Sequence, residues 1–117
     1  IRDSPLAAGG LSGKYRNGQM PKNSRMDLFF QGWGRHLNPL AMKAYDEYYK
    51  LAKDNNMTMV QLAQSFVNTR PFVTSNIIGA TTMEQLKENV ESINIEFTDE
   101  IMEKINLIHN NNPNPSP

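Results

Sequence analysis

The chain has 117 residues, about one domain's worth, with 38% hydrophobic and 21% charged residues. Twelve Lys and Arg balance twelve Asp and Glu, so a net charge of zero offers no electrostatic pull toward nucleic acid or an anionic membrane. There is no cysteine for disulfide or thiolate chemistry, no apolar run near the ~18 residues of a membrane span and no signal peptide, so a cytoplasmic location is the default expectation.

Ile1 to Leu6 reads as the end of a strand running into a turn, with Pro5 barring a central ladder position beyond it. A chain that starts with Ile1 inside an element is expected to be a piece of something longer. Next, Ala7-Ala8-Gly9-Gly10-Leu11-Ser12-Gly13-Lys14-Tyr15 holds three glycines and small side chains, which let a backbone come close to a ligand, with Lys14 as the cation of the loop. From Arg16 to Asn38 no period stands out, and a long loop is expected. Met26, Leu28, Phe29, Phe30 and Trp33 lie inside it, so part of it should pack on a core or cover a ligand.

Asn38-Pro39 marks a helix start, with Asn as N-cap and Pro at the first helical position. Leu40, Ala41, Ala44, Tyr45, Tyr48, Leu51 and Ala52 form one apolar stripe running to about Asn55. Thr58 with Gln61 gives a capping box, and Met59, Leu62, Ala63, Phe66 and Val67 carry the next helix toward Arg70, where Pro71 stops it. Thr74 to Ile78 is short and β-branched, as a buried strand should be. Gly79 then permits a sharp exit or a close backbone approach to a ligand. A capping box follows, either Thr82 with Gln85 or, one residue earlier, Thr81 with Glu84. Met83, Leu86 and Val90 recur at helical spacing. On local pattern this is first an ordinary βα turn with a good cap. Its free N–H groups and helix dipole also make it a site for an anion. Ile93, Ile95 and Phe97 alternate with polar residues, as in an extended connection lying on a core. Thr98 caps a last helix whose buried side is Ile101, Ile105 and Ile108, and residues 110–117 read as a loose tail.

Two strands with helical crossovers predict a parallel α/β architecture. Two strands alone would leave unpaired backbone on both edges, so further strands are expected from elsewhere. His36 and His109 are too isolated in sequence to suggest a metal site.

The block from Ser4 to Tyr15, the Ser24-Arg25 pair and the block Ile78-Gly79-Ala80-Thr81-Thr82-Met83-Glu84-Gln85-Leu86-Lys87-Glu88-Asn89 together resemble the aldo-keto reductase superfamily. The likeness is to its Tas-type branch and also to the β subunits of voltage-gated potassium channels, and it runs over almost the whole chain. It implies a (β/α)8 TIM barrel, of which residues 1–117 would be the C-terminal part, strands 7–8 and their helices. In such barrels the loops after strands seven and eight form a phosphate site. The implied cofactor is NADPH (NADP+). Ser4, Pro5, Leu6 and Gly9 would line its pyrophosphate and ribose path, and Ser12 and Lys14 would contact phosphate oxygens. Arg25 would hold the adenosine end. Gly79 and Thr81 would sit beside the 2′-phosphate, and Gln85, Glu88 and Asn89 would meet that phosphate or the adenine edge.

Two departures bear on this expectation. Arg2 and Asp3 stand where the family commonly has an aromatic and a small residue, so the nicotinamide-stacking position is altered. The family's catalytic Asp, Tyr, Lys and His have no counterpart in this segment, which is therefore expected to be inactive alone. The parent protein would reduce a small-molecule aldehyde or ketone by hydride transfer. The segment by itself would need strands from the rest of the barrel or from an oligomer. The alternatives are a non-enzymatic nucleotide-sensing subunit, like the channel β subunits, and a purely helical interaction module without parallel strands.

Overall fold

A computed structural model describes residues 4–117, the side chains of 30–33 excepted. Among the described residues there are five α-helices: α1 (Arg25–Trp33), α2 (Pro39–Asp54), α3 (Met59–Asn68), α4 (Met83–Glu91) and α5 (Asp99–Asn111). Short 3-10 helices cover Ala7–Ser12, Arg16–Gly18, Gly34–Leu37 and Ser92–Asn94.

The helix starts follow their caps. Asn38 Oδ1 accepts from the N–H groups of Leu40 and Ala41 at 2.8 and 3.0 Å, with Pro39 behind it, and α2 begins there. Thr58 and Gln61 form the reciprocal capping box of α3, with bonds of 3.1 and 2.9 Å. Thr98 Oγ1 accepts from the Ile101 N–H at 3.2 Å to open α5. The apolar stripes of these three helices meet. Ala41, Tyr45, Leu51 and Ala52 pack with Met59 and Leu62 from α3 and with Ile101 and Ile105 from α5. Removing a side chain such as Leu62 from water is worth about 2 kcal/mol. Leu40, expected on the α2 stripe, instead faces outward.

The strand expected over Thr74–Ile78 does not form. Residues 74–80 are irregular, with a single bridge position at Asn76, and no strand runs through the described residues. Of the strand end expected over Ile1–Leu6, the first three residues lie outside the described ones, and Pro5 and Leu6 turn. The parallel α/β sheet is therefore corrected to a largely helical structure. The reason is pairing: an extended segment becomes a strand only when a neighbouring backbone takes up its N–H and C=O groups.

Three further expectations change. The long loop from Arg16 to Asn38 contains α1, capped by Ser24, whose Oγ accepts from the Asp27 N–H at 3.4 Å. In α1 Met26 is fully buried while Leu28 and Phe29 are exposed; Phe30 and Trp33 fall among the side chains outside the description. The Met83, Leu86, Val90 face of α4 is turned outward, and Ile93, in the 3-10 helix that follows, is exposed too. The segment 110–117 is tied down rather than loose. Asn112 Nδ2 donates to Glu47 Oε2 at 3.1 Å, and Asn38 Nδ2 donates to the Pro115 carbonyl at 2.9 Å.

A further tie runs from Ser116 to His36, which is buried. Arg35 Nε–H donates to His36 Nε2 at 3.3 Å, so that nitrogen accepts and the ring proton sits on Nδ1. Nδ1 lies 2.7 Å from Ser116 Oγ, and the Ser116 hydroxyl donates to the Arg35 carbonyl at 3.2 Å. A second ring proton would face the Arg35 guanidinium. Burial, and then the Arg35 charge, hold the His36 pKa below its ordinary value of 6.5. A depressed histidine pKa means that the folded chain binds fewer protons than the unfolded one. The contribution to stability is complete above pH 6.5 and is lost as pH falls through the lower folded value. Urea midpoints should therefore drop between about pH 7.5 and about pH 5, and His36→Gln should flatten that difference. An equal drop in the variant would remove His36 as the cause.

Candidate functional site

The first block is a turn held in an uncommon conformation. Ala7, Ala8 and Gly9 follow one another at φ 48°, 56° and 98°, and Ser4 is at 58°. Left-handed backbone costs an alanine about 1 kcal/mol, and such residues collect where a binding surface is shaped. The Leu6 carbonyl holds the turn by accepting from the N–H groups of Gly9 and Leu11 at 2.9 and 3.0 Å. Ser12 Oγ–H donates to the Gly9 carbonyl at 2.6 Å. A Cβ on Gly9 would lie 3.1 Å from Lys14 Cε and 3.3 Å from Tyr15 Cε2, so glycine there lets the lysine stem fold back across the turn.

Tyr15 joins the Lys14 loop to the start of α1, where Arg25 stands. The Lys14 ammonium lies 5.2 Å from the centre of the Tyr15 ring. That ring is 1% exposed, and its hydroxyl accepts from the Met26 N–H at 3.2 Å. Arg25 is the first residue of α1 and the immediate neighbour of that amide. The Lys14 ammonium is thus held over a ring whose hydroxyl meets the α1 N-terminus, and Arg25 is the first residue there.

In the second block, Thr82 Oγ1 accepts from the Gln85 N–H at 3.2 Å and caps α4. The Gln85 side chain reaches one residue further back than a reciprocal box requires. Its Oε1 accepts from the N–H and the hydroxyl of Thr81, at 2.9 and 3.1 Å. Of the two sequence alternatives for the cap, Thr82 with Gln85 is the one that forms, and Thr81 rather than Thr82 donates the return bond to Gln85. Gly79 needs no left-handed φ, and among the described residues a Cβ there would meet no atom within 4 Å. Glu88 Oε1 accepts from the Thr58 hydroxyl at 2.6 Å. Asn89 is buried, with Oδ1 accepting from Gln64 Nε2 at 3.1 Å and Nδ2 donating to the Gly79 carbonyl at 3.2 Å.

The two blocks meet the same helix end. Thr58, the cap of α3, touches Glu88, while its neighbour Met59 packs its sulfur 3.3 Å from where a Gly13 Cβ would be. A cavity of about 430 Å³ opens on the first-block side of this junction. Ser4, Pro5, Ala7 and Leu11 line it with an apolar face of α3 and with Ile105 and His109 of α5. None of Gly79, Thr81, Gln85, Glu88 or Asn89 lines that cavity. Among the described residues no cluster of three His, Asp or Glu could hold a metal ion, and no helix is long and apolar enough to cross a membrane.

Sequence reasoning missed Tyr15, Thr58 and Gln64 as parts of this arrangement. A signal for Gln64 was present: it lies four residues after Val60 and three before Val67, both buried, so it continues a second apolar face of α3.

Comparison with known proteins fits these two blocks. The model of the aldo/keto reductase family matches residues 1–110. The protein tas of Escherichia coli K12 is 37% identical over 114 residues, covering 97% of this chain and 33% of its own length. A putative voltage-gated potassium channel subunit beta of Schizosaccharomyces pombe is 34% identical over 116 residues, 94% of this chain and 33% of its own. The L-glyceraldehyde 3-phosphate reductase of Escherichia coli K12 is 36% identical over 102 residues, 80% of this chain and 28% of its own. The chain thus spans about a third of the length of the curated relatives it matches. A match that takes in the strained turn, the Tyr15 support and the capped start of α4 makes this chain a member of the aldo/keto reductase family.

Proposed function

We propose that this chain supplies the cofactor-gripping part of an NADPH-dependent aldo-keto reductase, the C-terminal strands and helices of its barrel. The observation that carries the reading is the Lys14 ammonium held over the Tyr15 ring, whose hydroxyl meets the start of α1 next to Arg25, beside the strained Ala7–Gly9 turn. A dinucleotide phosphate fits that donor set, since ammonium and guanidinium groups form charge-assisted bonds to phosphate oxygens. Ser4, Pro5, Leu6, Gly9 and Ser12 would shape the path beneath it. Gly79, Thr81, Gln85, Glu88 and Asn89 would flank its adenosine 2′-phosphate end. When bound, NADPH supplies the hydride that reduces an aldehyde or ketone. The residues of this chain bind and orient; the acid that protonates the carbonyl oxygen would come from outside residues 1–117.

The outward apolar residues support the same reading. Phe72, Ile77, Met83, Val90 and Ile93 are all at least half exposed, and strands pairing along 74–80 would cover several of them. A second reading, a nucleotide-sensing subunit without turnover, is favoured by the channel-subunit relative. It shares the site and differs only in carbonyl reduction, so steady-state assay of the complete protein separates the two.

The site itself is tested by cofactor affinity in the complete protein. Lys14→Ala and Arg25→Ala should each weaken NADPH by about tenfold or more, and NADH by less, as the loss of a charge-assisted bond to phosphate requires. Equal losses for both cofactors would sink the assignment to the extra phosphate.

A further inference from the structure

We infer that Gln64 is the positioning residue of the Gly79–Thr82 turn, and that it sets the grip on the nucleotide's adenosine end through Asn89. The inference rests on the reading of the second block given above, and adds a residue that touches no ligand in that reading.

Gln64 is 1% exposed, in the middle of α3, where an apolar residue would serve packing equally well. Its amide has two well-placed partners instead. Oε1 accepts from Asn76 Nδ2 at 2.7 Å, and Nε2 donates to Asn89 Oδ1 at 3.1 Å. Asn76 precedes the turn and Asn89 follows it, so one side chain holds both arms. Asn89 passes the restraint on by donating to the Gly79 carbonyl at 3.2 Å. Ser65, next along α3, adds a parallel tie by donating to the Ser92 carbonyl at 2.8 Å.

The direction of this amide chain is what gives it content. Asn76 donates to Gln64, Gln64 to Asn89, and Asn89 to the Gly79 carbonyl. Because Gln64 presents an N–H to Asn89, the Asn89 oxygen must face α3 and its NH2 must face Gly79. If Gln64 presented an oxygen, Asn89 would either suffer oxygen–oxygen repulsion or turn over and aim its own oxygen at the Gly79 carbonyl. Either outcome releases the turn, on whose far side the Thr81 N–H and the Gln85 side chain are bonded. A buried amide chain of this kind rigidifies when complete and fails as a unit when one link is reversed.

Gln64→Glu makes that reversal with almost no change of shape, retaining the acceptor for Asn76. Gln64→Leu removes both bonds and keeps the bulk. In the complete protein, Gln64→Glu should speed amide hydrogen exchange at Thr81, Gln85 and Leu86, whose N–H groups are bonded across the turn and the cap, by about tenfold relative to α2, the equivalent of one lost hydrogen bond. It should also raise KM for NADPH by a similar factor with a smaller change in kcat. Gln64→Leu should do the same, while Gln64→Asn, which retains the donor and acceptor pattern on a shorter stem, should recover part of both effects. Unchanged exchange in the turn would overturn the inference. So would faster exchange with unchanged KM in a protein where Lys14→Ala does weaken NADPH. If Lys14→Ala leaves NADPH binding intact, the phosphate reading fails on its own, and the exchange measurement still decides whether Gln64 holds the turn.

Discussion

Tyr15→Ala is expected to destabilise the protein by about 3–5 kcal/mol, the range for truncating a fully buried aromatic side chain. The ring is 1% exposed, so its removal opens a cavity between the Ala7–Ser12 turn and α1. The hydroxyl adds a smaller effect. It accepts from the Met26 N–H in the first turn of α1, where no helical carbonyl is available, and Met26 is itself fully buried. Tyr15→Phe should therefore cost about 1–2 kcal/mol through that amide alone. Urea denaturation of both variants separates packing from hydrogen bonding. A cost below about 1 kcal/mol for the alanine variant would mean that the ring does not join the turn to α1. Because the Lys14 ammonium rests over this ring, the surviving folded fraction of Tyr15→Ala should also bind NADPH more weakly than wild type.

Gly10→Ala should cost about 2–3 kcal/mol, for a steric reason rather than a conformational one. Gly10 is buried and is not among the left-handed glycines. A Cβ there would lie 2.6 Å from Tyr45 Cζ and 2.9 Å from Cε2, and closer still to the hydroxyl oxygen. The ring cannot retreat, since Tyr45 is 4% exposed and packed in the core with Ala41 and Leu62. Tyr45 offers its own check. Its hydroxyl is buried with no hydrogen-bond partner among the described residues, so Tyr45→Phe alone should be neutral or stabilising by about 1 kcal/mol. In the Gly10→Ala background it should recover only part of the loss, because Cζ remains too close, and Tyr45→Leu should recover more. Burial also pushes the Tyr45 pKa up to about 12 from 10. A raised tyrosine pKa gives stability that is complete below pH 10 and lost as pH climbs toward 12, and the phenylalanine variant should lack that loss. A Gly10→Ala protein as stable as wild type would refute the contact.

The parts of the fold visible in the sequence were those fixed by neighbouring residues. Asn38-Pro39, Thr58 with Gln61, and Thr98 each start the helix they announce, because a cap needs only the first turn it closes. Ser24 with Asp27 carries the same signal for α1. There it is masked by the surrounding glycines, asparagines and prolines, which read as loop. Asp27 Oδ2 even returns a bond to the Asn23 N–H at 2.8 Å, one residue beyond the cap, as Gln85 does to Thr81. What the sequence could not show depends on distant partners. Thr74–Ile78 has the residues of a strand, but strand formation is decided by the backbone beside it. Met83, Leu86 and Val90 have helical spacing, yet periodicity cannot tell which side meets protein. Of the site, Lys14 and Arg25 were legible as cations, whereas the link that Tyr15 makes between the Lys14 loop and the start of α1 is a tertiary contact. Asn89 was legible as a polar residue near a turn, and its engagement by Gln64 was not, since 25 positions separate them.

Thr58 and Met59 give the molecule something like a ruler. One residue bears on α4 and the next on the glycine turn, so the gap between the two blocks is graduated by a single peptide unit at the start of α3. A rigid-body slide of that helix would carry both ends together and leave the gap unchanged. Only a fault within the first turn of α3 would alter it.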